Sequence, residues 1–294
     1  ASVGLVNHLA EKAGEHKVDS QKAEDLAKAL IALFGGQKKE TKNKKENSGD
    51  EASDDGDNSK TGQMVFIGSH ELKAIDALLV KLSRGEEYTK EEINAVLKKG
   101  PGGVDVAMFG RMLASAQDYP VEAAVQVAHA FTVQKSSSED DYFTAVDDLG
   151  KHFEQDGSAH IGVAEFGSGL FYTYICVDWD CLVRNLDGDT SLARAGLRAL
   201  LEAAATISPT GKQNSFASRA YASYLLAEKG TRQPRSLSVA FLEPVKGVDV
   251  LGGAVQKLTE TRDSFDSVYG ECATAKAVLD VANKQGSLRA ILDF

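Results

Sequence analysis

A phosphate-cradling loop needs the pattern G-x-x-x-x-G-K-[ST], because its glycines let backbone N–H groups approach the phosphates while the hydroxyl meets a metal. Gly150-Lys151 and Gly211-Lys212 lack both the earlier glycine and the following hydroxyl. His70-Glu71 would open a zinc helix only with a second histidine four residues on, where Ala74 stands. Asp187-Gly188-Asp189 lacks the ligand spacing of a calcium loop and predicts a turn. Gly167-Ser168-Gly169 is not a nucleophile elbow, which needs glycine two residues to either side of the serine. The histidines His8, His16, His70, His129, His152 and His160 are dispersed, and His129 is expected to be a structural residue of a strand. Adjacent acids at Asp140-Asp141 and Asp147-Asp148 point apart, whereas general acid/base work needs convergent groups. A hydrolase centred on Ser158 and His160 has no supporting arrangement. The sequence therefore specifies no catalytic residue, no metal ligand and no cofactor, and the chain is not expected to be an enzyme.

A different chemistry fits Met112, Tyr142, Phe143 and Ile161, apolar residues that stand beside polar stretches. Bases held without a fixed sequence are stacked or wedged by such side chains, at ~1–3 kcal/mol per stacked base, while groups such as Lys212 and Gln213 hold phosphates. The same four residues suit ordinary core packing, so composition leaves both readings open.

The elements that must position them divide along the chain. Leu26, Ala27, Leu30, Leu33 and Phe34 recur at helical spacing behind Ser20, and Leu72, Ile75, Leu79 and Leu82 repeat the pattern behind Ser69. Thr89-Lys90-Glu91-Glu92 is a capping box that opens a third helix ending near Gly100. Residues 1–100 thus form a helical lobe. Within it, 37–60 carries a basic run followed by an acidic one, without a large apolar residue, and is expected to be a disordered linker rather than a basic tether for nucleic acid. Short strands are expected at Val104–Met108, at Val121–Val127 and within Ala159–Val177, and another at Tyr221–Leu226. Helices are expected at Ser191–Thr206, Val250–Tyr269 and Thr274–Lys284. Strands and helices without a regular alternation place the chain in the α+β class. The polar segment 134–169 interrupts the strands as an insertion.

Charge follows the same division. The formal net charge of the 294 residues is −10, and residues 101–180, with 3 basic and 13 acidic residues, carry all of it. The 8 basic and 5 acidic residues of 181–245 follow, which permits an anion site in an acidic protein. No stretch approaches the ~20 apolar residues of a membrane span. Ala1–Glu15 carries charges at Glu11, Lys12 and Glu15 and no basic stretch followed by an apolar core, so no secretory signal is expected. Cys176, Cys181 and Cys272 form no CxxC pair, so buried thiols and a cytoplasmic location are expected.

Several blocks in register give these segments a context. Val104-Asp105-Val106-Ala107-Met108-Phe109-Gly110-Arg111-Met112, Ala128-His129-Ala130-Phe131-Thr132 and Asp141-Tyr142-Phe143-Thr144-Ala145-Val146-Asp147-Asp148-Leu149 resemble the backbone subunit of the type I-E CRISPR Cascade complex, the CasC family. Gly157–Gly162, Glu165–Tyr172, Gly211–Phe216 and Gln233–Leu237 extend the resemblance over roughly 64–270. It implies an RRM-like (ferredoxin-like) palm over 101–294, a helical finger lobe over 1–100 and a protruding thumb formed by 134–169. Copies would assemble along CRISPR RNA with other Cascade subunits, kinking the guide so that its segments pair with target DNA. The alternative is a scaffold that self-assembles without RNA. The resemblance puts the wedge at Met112 and base contacts at Tyr142 and Phe143, with Thr144, Ile161, Lys212 and Gln213 near the RNA. Relatives begin with a palm strand and a basic segment that this chain lacks, so an incomplete palm sheet and weakened RNA affinity are expected.

Overall fold

Apolar spacing of three and four residues builds the first of two compact units, Ala1–Gln126 with Val177–Ala199; the second is Val127–Cys176 with Leu200–Phe294. The computed structural model describes residues 2–35, 66–98, 103–113, 120–146 and 158–294. The expected linker at 37–60 and the pair Asp147-Asp148 lie outside these described residues.

In the first unit, α1 (Ser2–Glu15), α2 (Ser20–Gly35), α3 (Ser69–Ser83) and α4 (Lys90–Lys98) are followed by the short α5 (Val104–Phe109) and α6 (Trp179–Asn185). Leu5 and Leu9 of α1, Leu26 and Leu30 of α2, Ile75 and Leu79 of α3 and Val96 of α4 form one buried cluster. The box at the start of α4 closes as the sequence predicts: Glu92 N donates to Thr89 Oγ1 (3.2 Å) and Thr89 N donates to Glu92 Oε2 (2.8 Å). Asn185 Nδ2 donates to the carbonyls of Ala107 (2.9 Å) and Glu122 (2.8 Å), tying α6 to α5 and to the segment beyond it.

Val104–Met108 is helix rather than strand. Val106, Ala107 and Met108 are all buried, so they show no period, and the glycines decide the local structure. Gly103 enters in an extended conformation and Gly110 closes the turn at φ 75°. Only glycine serves there, because a Cβ on Gly110 would stand 2.8 Å from Val121 O.

Short strands β1 (Val125–Val127) and β6 (Ile175–Val177), together with α7 (Thr190–Thr206), contain the points where the chain passes between units. Val121 makes only an isolated bridge to Arg111, so the expected strand over 121–127 shrinks to β1.

In the second unit the strands pair antiparallel. β2 (Phe131–Thr132) joins β5 (Phe171–Tyr172), and β3 (Glu139–Val146) joins β4 (Ser158–Phe166). β7 (Tyr224–Lys229) joins β8 (Ala275–Asp280). His129 lies exposed between β1 and β2, outside any strand. The rings of Phe131, Tyr172 and Phe241 pack with centroids 5.4–6.3 Å apart, and Val133, Val245 and Ala254 are buried beside them. Helix α9 (Val250–Tyr269) has the expected bounds, with Asp249 Oδ1 accepting from Gly252 N at 2.8 Å. The expected helix Thr274–Lys284 is instead β8, every residue of which pairs with β7. Its Ala-Lys-Ala-Val-Leu run suits a helix locally, and pairing with a distant strand overrides that preference. β7 itself starts three residues later than the expected Tyr221. Helices α8 (Gln213–Phe216) and α10 (Leu288–Leu292) complete an α+β chain, and among the described residues no helix is long and apolar enough to cross a membrane.

Candidate nucleic-acid interface

The segment after α5 turns its side chains alternately in and out. The Arg111 side chain is 6% exposed and Leu113 1%, whereas Met112 between them is 79% exposed. Arg111 makes a fork-to-fork pair with Glu71 of α3, Nη2 to Oε1 at 2.7 Å and Nη1 to Oε2 at 2.8 Å, and Nη1 also donates to Phe66 O at 2.9 Å. Glu71 in turn accepts from Gly68 N at 2.7 Å, which caps α3. Arg111 and Val121 exchange both backbone hydrogen bonds. A buried ion pair, a backbone bridge and a buried leucine therefore hold the chain on both sides of a methionine that packs against little. An unbranched thioether held outward from a rigid mount is suited to slipping between flat apolar surfaces.

Tyr142, Phe143, Thr144 and Ile161 come together on the β3–β4 ribbon. Thr144 faces Ile161, Tyr142 faces Val163 and Phe143 faces Gly162. Successive strand residues point to opposite sides, so Tyr142, Thr144, Ile161 and Val163 share one face and Phe143 lies on the other. Tyr142, Ile161 and Val163 are 63%, 58% and 61% exposed, an apolar face that no described part of the protein covers. The Phe143 ring lies across Gly162, where an added Cβ would stand 2.7 Å from Cζ. Glycine at 162 thus lets the ring lie flat over the opposite strand. Val163 escaped the sequence reading, although its alternation with Ile161 is the signal that would have found it.

Lys212 and Gln213 occupy a loop of the same unit. Lys212 is exposed at φ 58°, and Ala217 ends α8 at φ 47°, two non-glycine residues in the left-handed region within six positions. Gln213 faces inward: its Nε2 donates to the carbonyls of Pro209 and Ser218. It braces the loop, on which Lys212 and Arg219 are exposed cations. The Phe216 ring stands 6.4 Å from that of Phe166, bringing this loop to the foot of the ribbon. Of the sequence-predicted residues, Met112 belongs to the first unit and the other six to the second.

The first unit offers an exposed methionine on a rigid mount, and the second, by itself, offers exposed apolar and aromatic side chains together with an exposed lysine. Such a set can stack or wedge bases and meet a phosphate without reading a sequence. The neighbours Asp140 and Asp141 face opposite sides of β3, and Asp140 stands instead across from Glu165 of β4.

Many solved chains resemble this one. A chain described as "CRISPR RNA-guided surveillance complex, pre-nicking" is 28% identical with a TM-score of 0.76, over 98% of this chain and 81% of that one. Another, described as "CRISPR RNA-guided surveillance complex", is 36% identical with a TM-score of 0.55, over 64% of this chain and 72% of that one. No curated protein matches. Residues 2–292 match the CT1975-like protein family, and the chain belongs to that family.

Proposed function

We propose that this chain is a CRISPR RNA-binding backbone subunit of a Cascade-type antiviral surveillance complex. Copies assemble along the guide in the cytoplasm with other Cascade subunits and kink the RNA, so that short segments pair with target DNA. The second unit acts as an RRM-like palm from which the β3–β4 ribbon projects as a thumb, and the N-terminal helices form the finger lobe. Met112 wedges between bases, Phe143 and Tyr142 stack, Thr144 and Ile161 line the thumb, and Lys212 meets a phosphate in a loop that Gln213 braces. The protein carries out no catalysis, and base pairing by the guide supplies specificity.

The observation that carries this reading is the outward Met112 between the buried side chains of Arg111 and Leu113. An exposed methionine gains nothing in the isolated chain, whereas a stacked nucleobase covers it. Membership of the CT1975-like family and likeness to surveillance-complex chains support the same reading. The foot of the ribbon favours a second one, because Glu139, Asp140, Asp141 and Glu165 are exposed there and repel phosphate. This is an RNA-independent scaffold that assembles through protein contacts.

Co-expression with a CRISPR transcript separates them. The purified protein should carry guide-length RNA that sequencing assigns to the transcript, and ribonuclease should dismantle its oligomers. Oligomers of unchanged length after ribonuclease, with no co-purifying RNA, would establish the scaffold instead.

A further inference from the structure

Two apolar features of the second unit stand at opposite ends of α9. Just before its first turn the chain bulges outward over 242–248, where Leu242 is 82% exposed and Val248 lies fully open to solvent. The bulge is rigidly mounted. Val245 at its centre is buried and its N–H donates to Val133 O at 2.8 Å, Lys257 Nζ donates to Glu243 O at 3.0 Å, and Asp249 caps the helix that follows. Leu242 and Val248 are therefore held outward instead of folding back, and the exposed Glu243 carboxylate beside them has no partner among the described residues.

Beyond the last turn of α9, Arg232 closes a cleft. Its Nη1 donates to Glu271 O and its Nη2 to Tyr269 O, both at 2.9 Å, so the guanidinium caps the helix end and meets no carboxylate among the described residues. The rings of Phe265 and Tyr269 stand 5.9 Å apart at an interplanar angle of 31°, and with Pro234 and Cys272 they give the cleft a mainly apolar wall. Its volume is about 280 Å³, whereas a cavity of about 150 Å³ already accepts a benzene-sized group. The 20 residues of α9 set bulge and cleft about 30 Å apart. A chain cannot fill its own cleft across that distance. An identical neighbour can, because it presents outward aliphatic side chains for the rings and a carboxylate for Arg232.

We propose that copies of this chain dock end to end, with Leu242 and Val248 of one copy seated against Phe265 and Tyr269 of the next and Glu243 of the first paired with Arg232 of the second. Each copy gives a bulge and receives one, so the contact is heterologous and propagates as an open row. It involves few side chains, and RNA lying along the row strengthens it by raising the effective concentration of neighbours. The proposal rests on the reading that copies assemble along a guide and adds to it a surface through which they meet, apart from the ribbon.

The test uses the full chain co-expressed with a CRISPR transcript, with the copies per particle counted by native mass spectrometry. The native chain should give rows of several copies. Leu242→Asp and Tyr269→Ala alter side chains exposed in the isolated chain, so each should keep the native melting temperature. Each should weaken association between neighbours at least about 30-fold, as loss of a hot-spot residue does, leaving single copies on RNA. Val248→Asp replaces Leu242→Asp if that variant melts early. An equimolar mixture of the Leu242→Asp and Tyr269→Ala chains retains one intact bulge and one intact cleft per pair, and should give two-copy particles that grow no further. Rows of native length from both single variants, with RNA still co-purifying, overturn the contact and leave the RNA-binding reading standing. Rows longer than two from the mixture, or a closed dimer from the native chain, overturn the end-to-end match. Rows that carry no RNA and that both variants abolish uphold the contact and overturn the RNA-binding reading. Single native copies without RNA overturn both.

Discussion

At the scale of single residues, Met112 and Arg111 differ in what they contribute although they adjoin. Removing one partner of a buried, hydrogen-bonded ion pair strands the other, at a cost of ~3–5 kcal/mol. Arg111→Ala should therefore destabilise the first unit by about that amount in urea unfolding. Met112→Ala removes a side chain with little to pack against and should shift stability by less than ~0.5 kcal/mol while weakening RNA binding. The reverse pattern, a stability loss at Met112 with unchanged RNA affinity, would place Met112 in the core. Arg111 lay inside a recognised sequence block, but only the fold reveals Glu71, 40 positions earlier, as its partner.

At the scale of elements, the ribbon depends on a flat approach and the rest of the second unit on a charge network. Gly162→Ala puts a methyl group where the Phe143 ring lies, so the ring must tilt away. The expected result is weaker RNA binding with little change in melting temperature, since both ribbon faces are already solvated. Away from the ribbon, Asp266 of α9 accepts from Lys276 of β8 (2.7 Å) and from Arg235 (2.8 Å), which also reaches Glu228 of β7 at 3.1 Å. The Lys276 hydrogen bond, aided by the Cys272 N–H and the Arg235 charge, holds the Asp266 carboxyl below its ordinary 3.8. A carboxyl with a depressed folded pKa contributes stability that is complete above the unfolded value and lost as pH falls through the folded one. Asp266→Asn should therefore be less stable than the native chain at neutral pH, and the gap should close as pH falls below about 4. A gap independent of pH would mean that the carboxylate charge contributes nothing.

At the scale of the whole molecule, a net charge of −10 does not oppose the proposed binding of RNA. Exposed acids cluster at the ribbon foot, and Lys212 stands on the loop, braced by Gln213, whose Phe216 meets that foot. On the proposed reading, electrostatic attraction is local and affinity comes largely from stacking. RNA binding should weaken with salt along a shallow slope that Lys212→Ala reduces by about 0.7, since each neutralised phosphate on a single strand contributes roughly that much. A slope unchanged by Lys212→Ala would remove that residue from the interface.

Local physics made much of this protein legible in its sequence. Helices α2, α3, α4, α7 and α9 followed from apolar spacing and caps, because a helix satisfies its backbone within a few residues of itself. The α+β class followed from the mixture of signals. What needed the tertiary structure were the elements whose partners are remote. The sequence 275–280 is a strand because β7 lies beside it, and the turn that closes helix 104–109 at Gly110 is packed against Val121, eleven residues on. The same holds for the candidate site. Residue types nominated Met112, Tyr142 and Phe143, but which of them stand outward, and on which face, depended on burial of their neighbours and on strand register. Those are properties of chain segments brought together in space, and no local window contains them.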